Sequence, residues 1–213
     1  METVEFAGRI DHTLLDKDHS ADELAREVER ANQVGANVCI PPNRVAEADD
    51  VAGELMTVVG FPMGYHDPEV VAVEAERAVE AGADSVDLAT DVSALKSGDL
   101  DLYRRHVEAV VEASDHVKAI LEMGLLSDAE VEAAAEACVE AGVDYLKTCT
   151  GFVGRGVQVE DVENLSNLGY EVGVKASGGV RTVEDALSLM EAGADRVGSS
   201  SGVELVEERR RLG

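Results

Sequence analysis

Glu140-Ala141-Gly142-Val143-Asp144-Tyr145-Leu146 carries the chain from the end of a helical pattern into a short apolar strand through one glycine. Glycine just past a helix takes the left-handed conformation that closes the last turn. The β-branched and aromatic residues behind it suit a buried, extended chain. The device recurs at Asn32-Gln33-Val34-Gly35-Ala36-Asn37-Val38-Cys39-Ile40, at Glu80-Ala81-Gly82-Ala83-Asp84-Ser85-Val86-Asp87-Leu88 and at Glu191-Ala192-Gly193-Ala194-Asp195-Arg196-Val197. Between the copies, runs at 54–60, 116–121 and 170–175 read as further strands, and 9–14 opens the series. Eight strands, each followed by a helical pattern and a short loop, imply a parallel sheet with crossover helices. The expected α/β fold is a single (β/α)8 TIM barrel spanning 1–213, compact beside the typical length of about 250 residues. A doubly wound open sheet is the alternative. Against it, no Gly-x-Gly-x-x-Gly follows the first strand, where a dinucleotide fold would carry it.

Local signals fit that division. Ser127-Asp128-Ala129-Glu130 sets a capping serine three residues before a glutamate, and Thr182-Val183-Glu184-Asp185 supplies similar first-turn acids. Asp67-Pro68-Glu69 puts proline at a first helical position. The final helix runs from Gly202 to about Arg211 and ends in three arginines, which suits a C-terminus. Tyr103-Arg104-Arg105 reads as helix surface. No linker or shift in composition marks a domain boundary.

The charge balance excludes several classes of function. Asp and Glu number 44 against 18 Lys and Arg, a net charge of −26, which would repel a nucleic-acid backbone. No apolar run approaches a membrane span, and Met1-Glu2-Thr3-Val4-Glu5 lacks the regions of a secretion signal, so the expected location is the cytoplasm. The acids are dispersed over helix patterns such as Ala21-Asp22-Glu23-Leu24-Ala25-Arg26-Glu27, and only five of the 18 basic residues are lysine. That surface resembles adaptation to a salty cytoplasm, with an ordinary acidic protein as the plainer reading. Cys39, Cys138 and Cys149 lack metal-type spacing and read as reduced thiols. The five histidines show no ligand-like clustering.

Three of the five lysines, Lys118, Lys147 and Lys175, fall in strands rather than on solvated helix faces. In a barrel, C-terminal strand ends converge on the active-site face. There the sequence offers Asp11 and Thr13 on strand 1, Cys39 on strand 2, Asp87 on strand 4, Lys118 on strand 5, Lys147 on strand 6 and Lys175 on strand 7. Neighbouring strands lie about 4.8 Å apart, so Lys147 and Lys175 can bring two ammonium groups together. Like charge and burial both favour loss of one proton, and a neutral amine is a nucleophile towards carbonyls. Lowering a lysine by about 3 units, roughly 4 kcal/mol, gives useful free amine at neutral pH. Asp87 could shuttle the protons that carbinolamine chemistry needs. The alternative is that each lysine is a structural ion paired with a buried acid.

A second constellation follows strands 7 and 8. Lys175-Ala176-Ser177-Gly178-Gly179-Val180-Arg181 and Arg196-Val197-Gly198-Ser199-Ser200-Ser201-Gly202 place glycines and serines where barrels frequently hold phosphate. On so acidic a chain, an anion must be held by aimed amides rather than by net charge.

Several stretches together resemble the deoxyribose-phosphate aldolase family: Ile10-Asp11-His12-Thr13-Leu14-Leu15, Val58-Val59-Gly60-Phe61-Pro62-Met63-Gly64, Ala94-Leu95-Lys96-Ser97-Gly98, Val117-Lys118-Ala119-Ile120-Leu121-Glu122, Leu146-Lys147-Thr148-Cys149-Thr150-Gly151-Phe152 and the run 174–181. They extend from strand 1 to strand 8. The resemblance implies a class I aldolase on a TIM barrel, with no metal and no organic cofactor. It would cleave 2-deoxy-D-ribose 5-phosphate reversibly to D-glyceraldehyde 3-phosphate and acetaldehyde. It implies that Lys147 forms the Schiff base, that Lys175 eases its deprotonation and that Asp87 relays protons. Thr13, Thr150 and Gly151 would contact substrate, and Gly178, Gly179, Gly198, Ser200 and Ser201 would grip the phosphate. The implied partners are a small phosphosugar and further copies of the chain in a homo-oligomer. The chain departs from the family pattern at Ala89-Thr90-Asp91 and at Met123-Gly124. A Schiff-base aldolase for another phosphosugar and a non-catalytic sugar-phosphate-binding barrel are the competing functions. A binder would need only the phosphate loops and not the two lysines with Asp87.

Overall fold

The computed structural model describes residues 1–48 and 50–213. Eight strands, β1 (Ile10–Thr13), β2 (Asn37–Ile40), β3 (Leu55–Val59), β4 (Ser85–Ala89), β5 (Val117–Ile120), β6 (Tyr145–Lys147), β7 (Gly173–Ser177) and β8 (Arg196–Ser199), pair in parallel in sequence order. β8 returns to β1, so the sheet is the expected closed barrel and not an open one. Around it run α1 (Thr3–Gly8), α2 (Ala21–Val34), α3 (Pro68–Glu80), α4 (Val92–Lys96), α5 (Leu100–Val111), α6 (Asp128–Ala141), α7 (Val159–Asn167), α8 (Val183–Glu191) and α9 (Gly202–Leu212). Among the described residues no helix is long and apolar enough to cross a membrane.

The repeated glycine does what its position requires. Gly35, Gly82, Gly142 and Gly193 all have positive φ. Two residues later each copy carries Asp or Asn, which pins the foot of the neighbouring strand. Asp84, Asp144 and Asp195 accept the N–H of Leu55, Val117 and Val174 at 2.8, 2.9 and 2.8 Å, while their own N–H groups donate back to the carbonyls of those same residues. Asn37 accepts from Glu54 N–H at 3.0 Å. The glycine ends the helix, and the polar residue behind it fixes where the next strand enters the barrel. Ser20, Ser127 and Thr182 make capping boxes, and Asp67 caps α3 ahead of its proline.

Strand side chains alternate between two environments. Outward residues such as Val38, Leu88, Ala119, Leu146, Ala176 and Val197 pack under the helices in the main core. Each buried Leu or Val there stabilises the fold by about 1.5–3 kcal/mol. Barrel interiors are ordinarily filled with branched aliphatic residues. Here the interior is apolar on one side only, where Cys39, Met56 and Val58 pack with Leu15 and Phe61. Much of the rest is charged.

Three expectations need correction. Strand 7 runs Gly173–Ser177 rather than 170–175, because Gly169 and Gly173 leave 170–172 as a connection. Lys175 therefore lies mid-strand, in register with Lys147. Asp11 and Lys118 are the second residues of their strands, below the mouth and not at it. Tyr103 is fully buried on the inward stripe Tyr103, His106, Val107, Val110 of α5, where its hydroxyl meets Cys138 Sγ at 3.6 Å.

Candidate active site

The charged half of the interior is a closed circuit of alternating ions. Lys147 Nζ and Lys175 Nζ each donate to the same oxygen, Asp87 Oδ2, at 2.7 Å. The two amines are thus no further apart than twice that length. Lys175 also reaches Asp11 Oδ2 at 2.7 Å, and Arg196 takes Asp11 Oδ1 at 2.5 Å through Nη2. Arg196 Nη1 then reaches Glu54 Oε2 at 2.6 Å, and Glu54 Oε1 accepts from Lys118 Nζ at 2.7 Å. Lys118 stands 4.0 Å from Asp87 Oδ1, which closes the ring. Ser85 bonds both Glu54 and Lys118.

The circuit holds one cation more than its carboxylates balance. Four cations, Lys118, Lys147, Lys175 and Arg196, face three carboxylates, Asp11, Glu54 and Asp87. Burial works against every one of these charges, and only a partner offsets it. Asp87 is wholly buried, yet Lys147, Lys175 and Lys118 overcome that burial and hold its carboxyl far below the usual range. Burial likewise opposes the charge on Lys175, but Asp11 and Asp87 outweigh it and raise its pKa. Burial also opposes ionisation of Glu54, and Lys118 and Arg196 bring that carboxyl down to about 2. Lys175 and Arg196 each have two carboxylate partners, whereas Lys147 has one and shares it.

Lys147 opens onto a polar pocket of about 330 Å³ at the strand ends, within the usual size of small-molecule sites. Of the residues expected at substrate, Thr13, Thr150, Gly151, Gly178, Gly179, Gly198 and Ser200 line it, while Asp87 and Lys175 form the layer beneath. Ser201 stands one residue beyond the lining and is the N-cap residue of α9. Gly178 needs its freedom, with φ +106° and a site where an added Cβ would meet Cys149 Cβ at 3.3 Å and Gly151 Cα at 3.4 Å. A Cβ on Gly198 would approach Ser177 Cβ to 3.0 Å and Lys175 Cε to 3.6 Å. Arg181 and Asp16 stand on the pocket's rim.

Several site residues escaped the sequence reading. Glu54 and Arg196 complete the ion circuit, although 142 positions separate them. Glu122 is buried with φ +57°, a left-handed conformation rare outside glycine. It accepts from Thr150 N–H at 3.2 Å and from Thr150 Oγ1 at 2.5 Å, and Thr150 Oγ1 in turn accepts from Phe152 N–H at 3.1 Å. Glu122 thereby fixes the turn behind Lys147. Phe61 and Phe152, from loops after β3 and β6, meet across the mouth at 5.3 Å between ring centroids. The departures at 89–91 and 123–124 have structural occupations. Asp91 caps α4 through Ala94 N–H, and a Cβ on Gly124 would meet Arg155 Cγ at 2.9 Å. Arg155 grips Asp161 with two bonds of 2.6 and 2.7 Å and anchors the loop after β6. Burial raises the Cys39 and Cys149 thiols to about 11 each, which suits inert core positions.

Residues 7–206 match the family described as DeoC/LacD family aldolase, and the chain belongs to that family of barrel aldolases. Among curated relatives it is 44% identical to a deoxyribose-phosphate aldolase of Thermus thermophilus, over 95% of this chain and 96% of that one. A deoxyribose-phosphate aldolase of Streptococcus gordonii is 43% identical, over 93% and 94%. Among solved structures, the deoxyribose phosphate aldolase from Aeropyrum pernix, described as a unique tetramer, superposes with a TM-score of 0.91 at 31% identity, covering 100% of this chain and 94% of that one.

Proposed function

We propose that the chain is a cytoplasmic class I aldolase that cleaves 2-deoxy-D-ribose 5-phosphate reversibly to D-glyceraldehyde 3-phosphate and acetaldehyde. The observation that carries this reading is the pair of amines on one carboxylate oxygen, in a circuit with one cation more than it has carboxylates. Lys147 sheds that surplus proton and its free amine adds to the aldehyde carbon of the open-chain sugar. Loss of water from the carbinolamine gives an iminium. A proton leaves the C3 hydroxyl, the C2–C3 bond breaks into the iminium, and glyceraldehyde 3-phosphate departs. The enamine left on Lys147 takes a proton at C2, and water releases acetaldehyde and restores the amine. Asp87 and Lys175 border each transfer and serve as the proton relay. Amides at Gly178, Gly179, Gly198 and Ser200, with the first turn of α9 beyond Ser201, hold the phosphate. Thr13 and Thr150 face the sugar hydroxyls. Further copies of the chain complete a homo-oligomer.

Turnover of 2-deoxyribose 5-phosphate against ribose 5-phosphate tests this assignment, and preference for the ribose compound would overturn it. Activity is expected to survive EDTA, since the amine supplies the electrophile chemistry. Complete loss that a divalent ion restores would point to metal-dependent chemistry instead. The net charge of −26 further motivates a salt-adapted surface. Screening shortens from about 10 Å at 0.1 M salt to about 3 Å at 1 M. The melting temperature should therefore rise with KCl over that range. A flat or falling trend would remove the halophilic reading.

A further inference from the structure

Glu54 stands one residue ahead of β3, at the foot of the barrel, while the polar pocket lies at the other ends of the strands. Asn37 Oδ1 holds its N–H at 3.0 Å, which fixes where this acid enters the interior. Its carboxylate is divided between two cations. Oε2 accepts from Arg196 Nη1 at 2.6 Å and Oε1 from Lys118 Nζ at 2.7 Å, and the Ser85 hydroxyl bonds both Glu54 and Lys118. Neither Glu54, Ser85 nor Lys118 lines the pocket.

Lys118 has a second acid within reach. It is in register with Asp87 on the neighbouring strand, and its Nζ stands 4.0 Å from Asp87 Oδ1. That separation is too long for a hydrogen bond. Among the described residues, this buried oxygen has no hydrogen-bond partner, whereas Oδ2 takes both Lys147 and Lys175. A bare buried carboxylate oxygen is costly, yet the ammonium that would satisfy it is one small side-chain shift away. Glu54 and Ser85 hold Lys118 back, and the Tyr145 ring lies 5.7 Å from the same Nζ. The bare oxygen has a use. Every cation bonded to a carboxylate weakens its hold on a proton, so a third one would make Asp87 a poorer relay.

We infer that Glu54 is a positioning residue for the reaction: from the foot of the barrel it holds Lys118 off Asp87 Oδ1 and so keeps that oxygen open to protons. The inference rests on the aldolase reading above, in which Asp87 serves the relay. When an acetaldehyde iminium becomes an enamine, a proton leaves the α-carbon, the C–H pair forms the C=C bond and the nitrogen loses its charge. The reverse step returns a proton to that carbon. In Glu54→Gln, Lys118 loses its anionic partner and turns to Asp87 Oδ1, which blocks this traffic.

The test measures kcat and KM for 2-deoxyribose 5-phosphate, together with exchange of acetaldehyde methyl protons in D₂O, in wild type, Glu54→Gln and Glu54→Gln/Lys118→Met. In Glu54→Gln, kcat and the exchange rate should both fall about tenfold or more, while KM stays within about threefold because the pocket is untouched. Removing Lys118 as well frees Oδ1 again and leaves three cations for two carboxylates, the same excess of one as in wild type. The double variant should therefore recover both rates to within about threefold of wild type, a coupling that independent losses would not give. It also removes a buried ion together with its partner, which proteins tolerate better than loss of one member. Should Glu54→Gln not fold, Glu54→Asp makes the same comparison with the carboxylate drawn back by one methylene. Unchanged rates in the single variant, or a double variant no faster than the single, would overturn the role of Glu54 and leave the aldolase assignment standing. A wild-type chain that neither cleaves the sugar nor exchanges the methyl protons would overturn both.

Discussion

Lys147→Ala is expected to abolish cleavage of 2-deoxyribose 5-phosphate, with kcat falling on the order of 10⁴-fold or more, because among the described residues no other lysine lines the pocket. The fold should survive the change. Removing most buried ion-pair partners costs about 3–5 kcal/mol because a charge is left stranded. Lys147 is the exception, since Asp87 keeps Lys175 at 2.7 Å and the circuit is left with three cations for three carboxylates. A melting temperature close to wild type, with activity gone, is the expected pair of results. Substantial residual turnover would assign the nucleophile elsewhere, and collapse of the fold would make Lys147 a structural ion.

Lys175→Met tests the other half of the pair and should lower kcat/KM by about 10²–10⁴-fold at neutral pH. Without Lys175, Asp87 serves Lys147 alone and the relay loses one of its two groups. A kcat/KM within about threefold of wild type would reduce Lys175 to a packing role. Stability should also fall, because Asp11 and Asp87 both lose a partner.

Much of the barrel was legible because the helix-to-strand junction is local. One glycine and the polar residue two positions on carry the information for helix end, strand start and strand foot, and Asp84, Asp144 and Asp195 repeat it with the same bonds. Lys147 and Lys175 were legible for a related reason: a lysine in an apolar strand is costly enough to need an explanation within its own segment. The ends of β7 were less legible, since Tyr170 and Val172 have strand-like side chains while Gly173 admits the ring of Tyr145 in the space a Cβ would fill. The partners of the lysines left no local trace. Glu54 and Arg196 look like ordinary strand-edge charges until closure of the barrel brings them together. The contact of Phe61 with Phe152 likewise exists only once loops from two sides of the mouth meet. Tyr103 was misjudged because the two arginines behind it masked the period that turns its ring inward.

The most direct measurement is borohydride reduction in the presence of acetaldehyde, followed by peptide mass mapping. A two-carbon adduct is expected on Lys147 alone, absent from Lys147→Ala and formed more slowly at neutral pH in Lys175→Met. An adduct on Lys175 or Lys118, or none on any lysine, would contradict the claim that Lys147 is the nucleophile.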